Sequence, residues 1–419
     1  MTGFLNLRSR LPTEQWERNV FAVTLAVFIA FSGFTVVIPF LPLYVRELGV
    51  RDPSEAAIWA GLVFGVSPFI AGLLAPFWGT VADKYGRKPV FIRSLIAFVI
   101  LMVLYGFVQN VQQLFALRVL HGVFGGFGAM AMSMISVSAP ESRAGSAIGR
   151  LQAVMLLTNA SGPLAGGVLA STIGIRNTFF VATGLTVIAL LTVVFYYRED
   201  KSELRRSRRQ KERTSFRSLL LLPILLPLAG VLFLSQFVDR SLSPVLPLFI
   251  EDLGATPASA AFFAGLLTSG GAVASAAAAA VVGRLAVSRG VFPLLLASLV
   301  GGAIATLAMT LVQTVPQLLA ARVALGLLAG GTVTLAYALG AAHLPRESRG
   351  ATFGLLSTGM MVGGGLSPFV AGLLAAVDIR LVFIVGGGVY ALSAIVSLRL
   401  PRPPSTAAEE ATLRDAAPA

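Results

Sequence analysis

An all-α membrane protein of twelve spans, arranged as two pseudo-symmetric six-helix bundles, is the fold class this sequence predicts. Three observations carry it. Of the 419 residues, 56 % are hydrophobic and only 12 % are charged, with a mean hydropathy of +0.83. That is too little polar surface for a soluble domain of this length. Apolar runs of about 20 residues, long enough to cross a bilayer as a helix, recur along the whole chain. The second half also repeats the first at an offset of 204 to 206 residues. Backbone facing lipid finds no water, so the runs must be helices or closed barrel strands, and strands would be shorter and alternating.

The spans are expected to start near Asn19, Ala57, Val90, Gln113, Ser146, Asn177, Ser218, Ser259, Val291, Gln317, Gly350 and Leu381. The first follows a polar stretch, Met1 to Arg18. It is too long for a signal-peptide core and lacks a cleavage site, so it is expected to be retained. Connections are short except at 198–217, with nine basic and four acidic residues, and after Leu400, where Pro and Ala accumulate. The expected organisation is a first bundle over 1–197, a cytoplasmic linker over 198–217, a second bundle over 218–400 and a disordered cytoplasmic tail over 401–419. The linker reads equally as a surface helix on anionic lipid or a solvated tether.

Placing the N-terminus in the cytoplasm puts 25 of the 32 Lys and Arg residues on the inner side. The outer loops then hold only Arg46, Arg51, Arg176 and Arg380. Basic residues favour the cytoplasmic side, so both termini and the linker are expected there. The net charge of +13 is therefore topological. No aromatic-rich soluble module accompanies it, which argues against nucleic acid. The absence of cysteine excludes disulfides and thiolate metal sites. No Walker pattern is present, so ATP is not expected to supply the energy. With no nucleophile–base pair, no metal cluster and only His121 and His343, neither an enzyme nor a cofactor is expected.

The repeat is direct. Ile38-Pro39-Phe40-Leu41-Pro42-Leu43 answers Ser243-Pro244-Val245-Leu246-Pro247-Leu248, and Arg118-Val119-Leu120-His121-Gly122 answers Arg322-Val323-Ala324-Leu325-Gly326. Gly162-Pro163-Leu164-Ala165-Gly166 answers Ser367-Pro368-Phe369-Val370-Ala371. Two such halves imply two bundles that rock about one midplane cavity.

Between the second and third spans lies Gly79-Thr80-Val81-Ala82-Asp83-Lys84-Tyr85-Gly86-Arg87-Lys88. With it, nearly the whole chain resembles the major facilitator superfamily, and most closely its twelve-span drug/proton antiporter branch. Gly79, Asp83, Gly86, Arg87 and Lys88 fill that branch's turn pattern. Gly86 permits the tight turn, and Asp83 can pair with a cation or cap a helix on the other bundle. The resemblance implies a latch for the outward-facing state. The second copy keeps Gly283, Arg289 and Gly290 but has Val287 in place of the acid.

Arg118 and His121 stand three apart on the fourth span, hence on one helix face. His121 replaces the glutamine usual in the family, where this arginine is linked to proton transfer. An arginine within a span is costly unless paired or facing water, so it should point into the bundle, either to serve protons or to bond backbone carbonyls. Gly162, Pro163, Gly166 and Gly167 on span five resemble the antiporter signature, associated with exporters, with Thr158 in place of its first glycine. Pro368 carries the second copy. Small residues let helices approach, and proline bends them.

Of the 19 acids, Asp239 alone lies deep within a span. An intramembrane acid is a candidate functional site, and burial favours a carboxyl group's neutral form, as proton exchange needs. Asp239 is expected to carry a coupling proton, contact a cationic substrate, or form a static pair with Arg322 or Arg240. Phe31, Phe34, Thr35, Met130, Phe233, Gln236, Arg240 and Tyr337 are the expected cavity lining. Such surfaces suit variable lipophilic ligands. The expected protein is thus a proton-coupled exporter of small lipophilic, often cationic, compounds. It would act as a monomer in the lipid bilayer of a bacterial inner membrane. A lysolipid, a glycolipid or a small metabolite is the alternative cargo.

Overall fold

A computed structural model of the chain describes residues 14–199, 224–343 and 349–400. The expected tail and all but the first two residues of the expected linker lie outside them. Twelve apolar helices follow one another among the described residues. The first six are α1 Gln15–Glu47, α2 Pro53–Tyr85, α3 Arg87–Gly106, α4 Val111–Ser138, α5 Glu141–Ile173 and α6 Ile175–Tyr196. The second six are α7 Leu225–Asp252, α8 Pro257–Arg289, α9 Val291–Leu311, α10 Val315–Gly340, α11 Arg349–Val377 and α12 Leu381–Ser397. Eleven are long and apolar enough to cross a bilayer, and α12 is shorter at 17 residues.

Most helices start a few residues before the apolar run, and α2, α4 and α8 do so on a capping side chain. The side chains of Asp52 and Asn110 accept the backbone N–H groups of Glu55 and Gln113, at 2.8 and 2.9 Å. Each satisfies a donor that a helix start leaves open. Gly86 and Gly290 end α2 and α8 at φ 108° and 80°, where a side chain would be strained. Three spans are interrupted. A 3-10 turn crosses α1 at Ile38–Phe40, where Pro39 and Pro42 deny backbone donors. α4 breaks at Gly125 and Gly126, and α10 at Gly330 and Gly331.

Packing restates the repeat. In the first half α1 packs on α5 and α6, α3 on α6, and α2 on α4; in the second, α7 packs on α11 and α12, α9 on α12, and α8 on α10. Two seams join the halves, α2 with α11 and α5 with α8. Both run backbone to backbone. A Cβ on Gly61 would strike the Pro368 carbonyl and lie 2.9 Å from the Cα of Gly372. One on Gly167 would lie 2.6 Å from the Ala261 carbonyl oxygen. The Leu164 N–H donates to Ser269 Oγ at 2.9 Å. At the same end Arg46 pairs with Glu251 across the halves at 2.6 Å. Toward the opposite ends of the same helices, a Cβ on Gly79, Gly145, Gly149 or Gly283 would meet nothing within 4 Å. Among the described residues, the halves therefore touch at the end bearing the 48–52 loop and separate toward the other.

Candidate functional site

Between the halves lies a cavity of about 480 Å³, walled by α1, α2, α4, α7, α10 and α11. Phe31, Phe34, Gln236, Arg240 and Tyr337 line it, as expected from their positions. Phe31 packs against Phe34 and Phe127 with ring centroids 5.8 Å apart in both pairs. The Tyr337 hydroxyl lies 2.9 Å from Ser357 Oγ and 3.3 Å from Met360 Sδ. Three expected residues fall elsewhere. Thr35 is buried under α5, donating to the Thr158 carbonyl at 3.1 Å. Met130 lines a separate cavity with Asp83 and Arg87. Phe233 lies with its backbone against Gly363 and its ring on Phe237. Sequence depth gives the level of a residue in a span but not its face, and each step turns by about 100°.

Among the described residues, the charged or ionisable groups lining this cavity are Arg118, His121, Arg240 and the phenol of Tyr337, with no carboxylate among them. Arg118 is buried, and its Nε and Nη2 donate to the Val63 and Phe64 carbonyls at 2.7 and 3.5 Å. Burial of a guanidinium is tolerable when such acceptors are provided. His121 Nδ1 lies 3.2 Å from the Tyr105 hydroxyl, between the rings of Phe34 and Phe98. Arg240 is exposed.

Asp239 does not line this cavity. It opens on a smaller chamber of about 170 Å³ inside the second half, with Ser235, Gln236, Ser275, Arg322 and Tyr390. Its carboxylate pairs with Arg322 Nη2 at 3.2 Å; the two side chains are 44 % and 10 % exposed. The carboxylate expected to be buried is thus half-open to the chamber. Arg240, one residue on, faces the main cavity, so the helical step sends the two neighbours into different spaces. At the repeat offset Arg322 answers Arg118, while Asp239 answers Phe34. One arginine is met by helix carbonyls, the other by a carboxylate the first half lacks.

At the separated end, Asp83 pairs with Arg87 of the next helix at 3.7 Å, and Arg87 Nε donates to Ser133 Oγ at 2.7 Å. The start of α3 is capped by Glu199, which accepts the N–H groups of Arg87 and Lys88 at 2.6 and 3.2 Å. Lys88 Nζ in turn donates to the Val194 and Tyr197 carbonyls at the end of α6, at 3.0 and 2.6 Å. Cation and anion thus sit where the two helix dipoles favour them. Glu199→Ala should cost about 1–2 kcal/mol, read as a lower thermal midpoint with cavity binding unchanged. Gly162 and Gly166 admit Thr35 and Val36 of α1, within the first half, whereas Pro163 and Gly167 meet Gly265 and Ala261 of α8.

Sequence reasoning missed Glu199, the Arg46–Glu251 pair and the separate chamber. The pair had a signal, since its members stand 205 residues apart, at the repeat offset, with opposite charges.

A profile described as the Major Facilitator Superfamily matches the chain twice, over residues 23–233 and 228–418. The chain belongs to the major facilitator superfamily. Among curated proteins it is similar to multidrug resistance protein MdtG of Klebsiella pneumoniae (strain 342), at 32 % identity over 94 % of this chain and 96 % of that one. MdtG of Salmonella heidelberg (strain SL476) is also 32 % identical, over 91 % of this chain and 95 % of its own. Among solved structures, this major facilitator chain superposes on a bacterial homologue of the human lysosomal transporter Spinster in an inward-facing and occupied conformation. The TM-score is 0.75 at 16 % identity, covering 92 % of this chain and 97 % of that one. With this family and fold, the chain is an integral membrane transporter and not an enzyme.

Proposed function

We propose that this major facilitator protein is a secondary active multidrug exporter of a bacterial inner membrane, exchanging lipophilic compounds for protons. Similarity to the MdtG proteins along almost the full length supports the drug-efflux reading. The character of the main cavity carries the choice of cargo. Its walls are mainly aromatic, methionine and glycine, and its charged lining, among the described residues, is basic. Such a wall accepts varied apolar shapes, and a cation would find no counter-ion there. The cargo class is therefore uncharged and anionic lipophiles, in place of the lipophilic, often cationic, compounds expected from the sequence.

The excess of Lys and Arg on one side supports placing both termini in the cytoplasm. The end closed by Gly61, Gly167 and Arg46–Glu251 is then external, and the cavity opens inward. The first bundle, 1–197, and the second, 218–400, rock as monomeric halves joined by the linker. The Asp83–Arg87 turn restrains the outward-facing state, Pro163, Gly167 and Pro368 form the seam of the motion, and Asp239 carries the proton. Arg118 holds α4 against α2, with His121 beside it at the cavity wall.

The test uses proteoliposomes and two permanently charged dyes, which do not redistribute with pH by themselves. An imposed pH gradient should drive anilinonaphthalene sulfonate uphill and ethidium several-fold more slowly. Asp239→Asn should lose the uphill movement while remaining folded. Equal movement of the sulfonate with and without the gradient would contradict the proposal.

A further inference from the structure

We infer that Asp239 and Arg322 form a hydrated proton chamber separate from the substrate cavity, so that proton and substrate bind together in one conformation and are coupled through α7. This rests on the exporter reading and refines its mechanism. Direct competition for Asp239 would need the carboxylate in the substrate's space, and it is not there: Asp239 borders the small chamber, and Arg240 borders the large one.

The chamber is built to hold something polar. Ser235 Oγ, Thr332 Oγ1 and Arg322 Nε are buried polar atoms without a protein partner, and all three residues line it. Their residues are 4, 2 and 8 % exposed. A buried donor or acceptor left unpaired costs as much as a lost hydrogen bond or more. Water satisfies such groups where a site is polar and roomy, with two to four partners per molecule. A volume of about 170 Å³ holds about six waters at their liquid volume of about 30 Å³ each. Gly271 on α8 makes the room on the other face, since a Cβ there would lie 2.8 Å from both Cζ and Nε of Arg322.

Among the chamber's lining residues, the titratable or charged groups facing Asp239 are Arg322 from α10 and Tyr390 from α12; α8 presents Ser275. Gln236 lines both spaces and is the neck through which protons enter from the cavity and leave again. A proton that adds to a carboxylate oxygen of Asp239 removes the anion that ties α7 to Arg322 on α10. Substrate in the main cavity touches the same helix through Gln236 and Arg240. Each ligand therefore changes the other's affinity by moving α7, without displacing it.

The two mechanisms predict different curves. Competition for one group raises the apparent Kd tenfold for every pH unit below its titration, with no limit. Separate sites raise it to a plateau, at a typical coupling of about 5–150-fold. The measurement is equilibrium binding of radiolabelled anilinonaphthalene sulfonate to purified protein between pH 5 and 8.5. The native protein should reach a plateau. Asp239→Asn should bind the sulfonate with a Kd that does not respond to pH, while losing gradient-driven accumulation. His121 also lines the cavity, so the variant assigns the effect, not pH alone. The pair Ser235→Ala with Thr332→Val should keep binding of the sulfonate at high pH but weaken its gradient-driven accumulation several-fold. Gly271→Ala should do the same without removing a polar group.

An unlimited rise in Kd, or binding abolished in a folded Asp239→Asn, would put Asp239 in the substrate's own site and overturn the inference while leaving proton-coupled export standing. Undiminished gradient-driven accumulation in both chamber variants would also overturn it. A native protein that exchanges the sulfonate but responds to pH in neither binding nor accumulation would remove the proton coupling itself, and the chamber's role with it.

Discussion

Gly61→Val should force the closed end of the transporter apart and shift the protein toward the state open at that end. The added side chain falls on the Pro368 carbonyl and the Gly372 backbone of α11. Backbone cannot rotate away as a flexible side chain would. Overpacking of this kind costs about 1–3 kcal/mol. Because the contact exists only where the halves meet, the cost lands on one conformation and becomes a population change of about 5–150-fold. The chain contains no cysteine, so Arg51→Cys with Arg380→Cys gives a clean pair of labels at that end. Spin-label distances between them should lengthen in the valine variant. An unchanged distance distribution would mean the seam is not where the halves separate.

Arg240→Glu should reverse the charge selectivity of the main cavity. Arg240 is the exposed one of its three basic residues. Arg118 is spent on backbone carbonyls, and His121 is packed among rings with Tyr105 beside it. A unit charge about 6 Å from a bound ligand contributes on the order of 1–3 kcal/mol at the effective dielectric of a partly hydrated site. Reversing its sign should therefore favour ethidium over anilinonaphthalene sulfonate by tenfold or more, measured as relative transport rates. Unchanged preference would place the charged part of the substrate away from α7.

The fold was largely legible because bilayer physics leaves few choices. Span length, the bias of Lys and Arg, and the repeat all report constraints that act on residue type alone. Helix starts were read a few residues late, since caps such as Asp52 and Asn110 are polar and lie outside the apolar run. The site was legible by level but not by face. Phe34 and Thr35 are neighbours, yet one borders the cavity and the other is buried under α5. Asp239 and Arg240 were both recognised as unusual, but their division between two spaces depends on how α7 is rotated against α10 and α11. Only tertiary packing sets that rotation. Glu199 was hidden for a related reason: a carboxylate after the sixth span gives no sign that it folds back onto the start of the third.

Proton movement driven by substrate alone, with no pH gradient imposed, tests the exchange most directly. Vesicles loaded with anilinonaphthalene sulfonate would be diluted into buffer of the same pH, with valinomycin and equal potassium on both sides holding the potential at zero. A trapped pH indicator would report the lumen. Outward flow of the sulfonate should bring protons in, so the lumen should acidify with the native protein and stay level with Asp239→Asn. A lumen that stays level with the native protein while the sulfonate leaves, or that turns alkaline, would contradict proton exchange as the driving force.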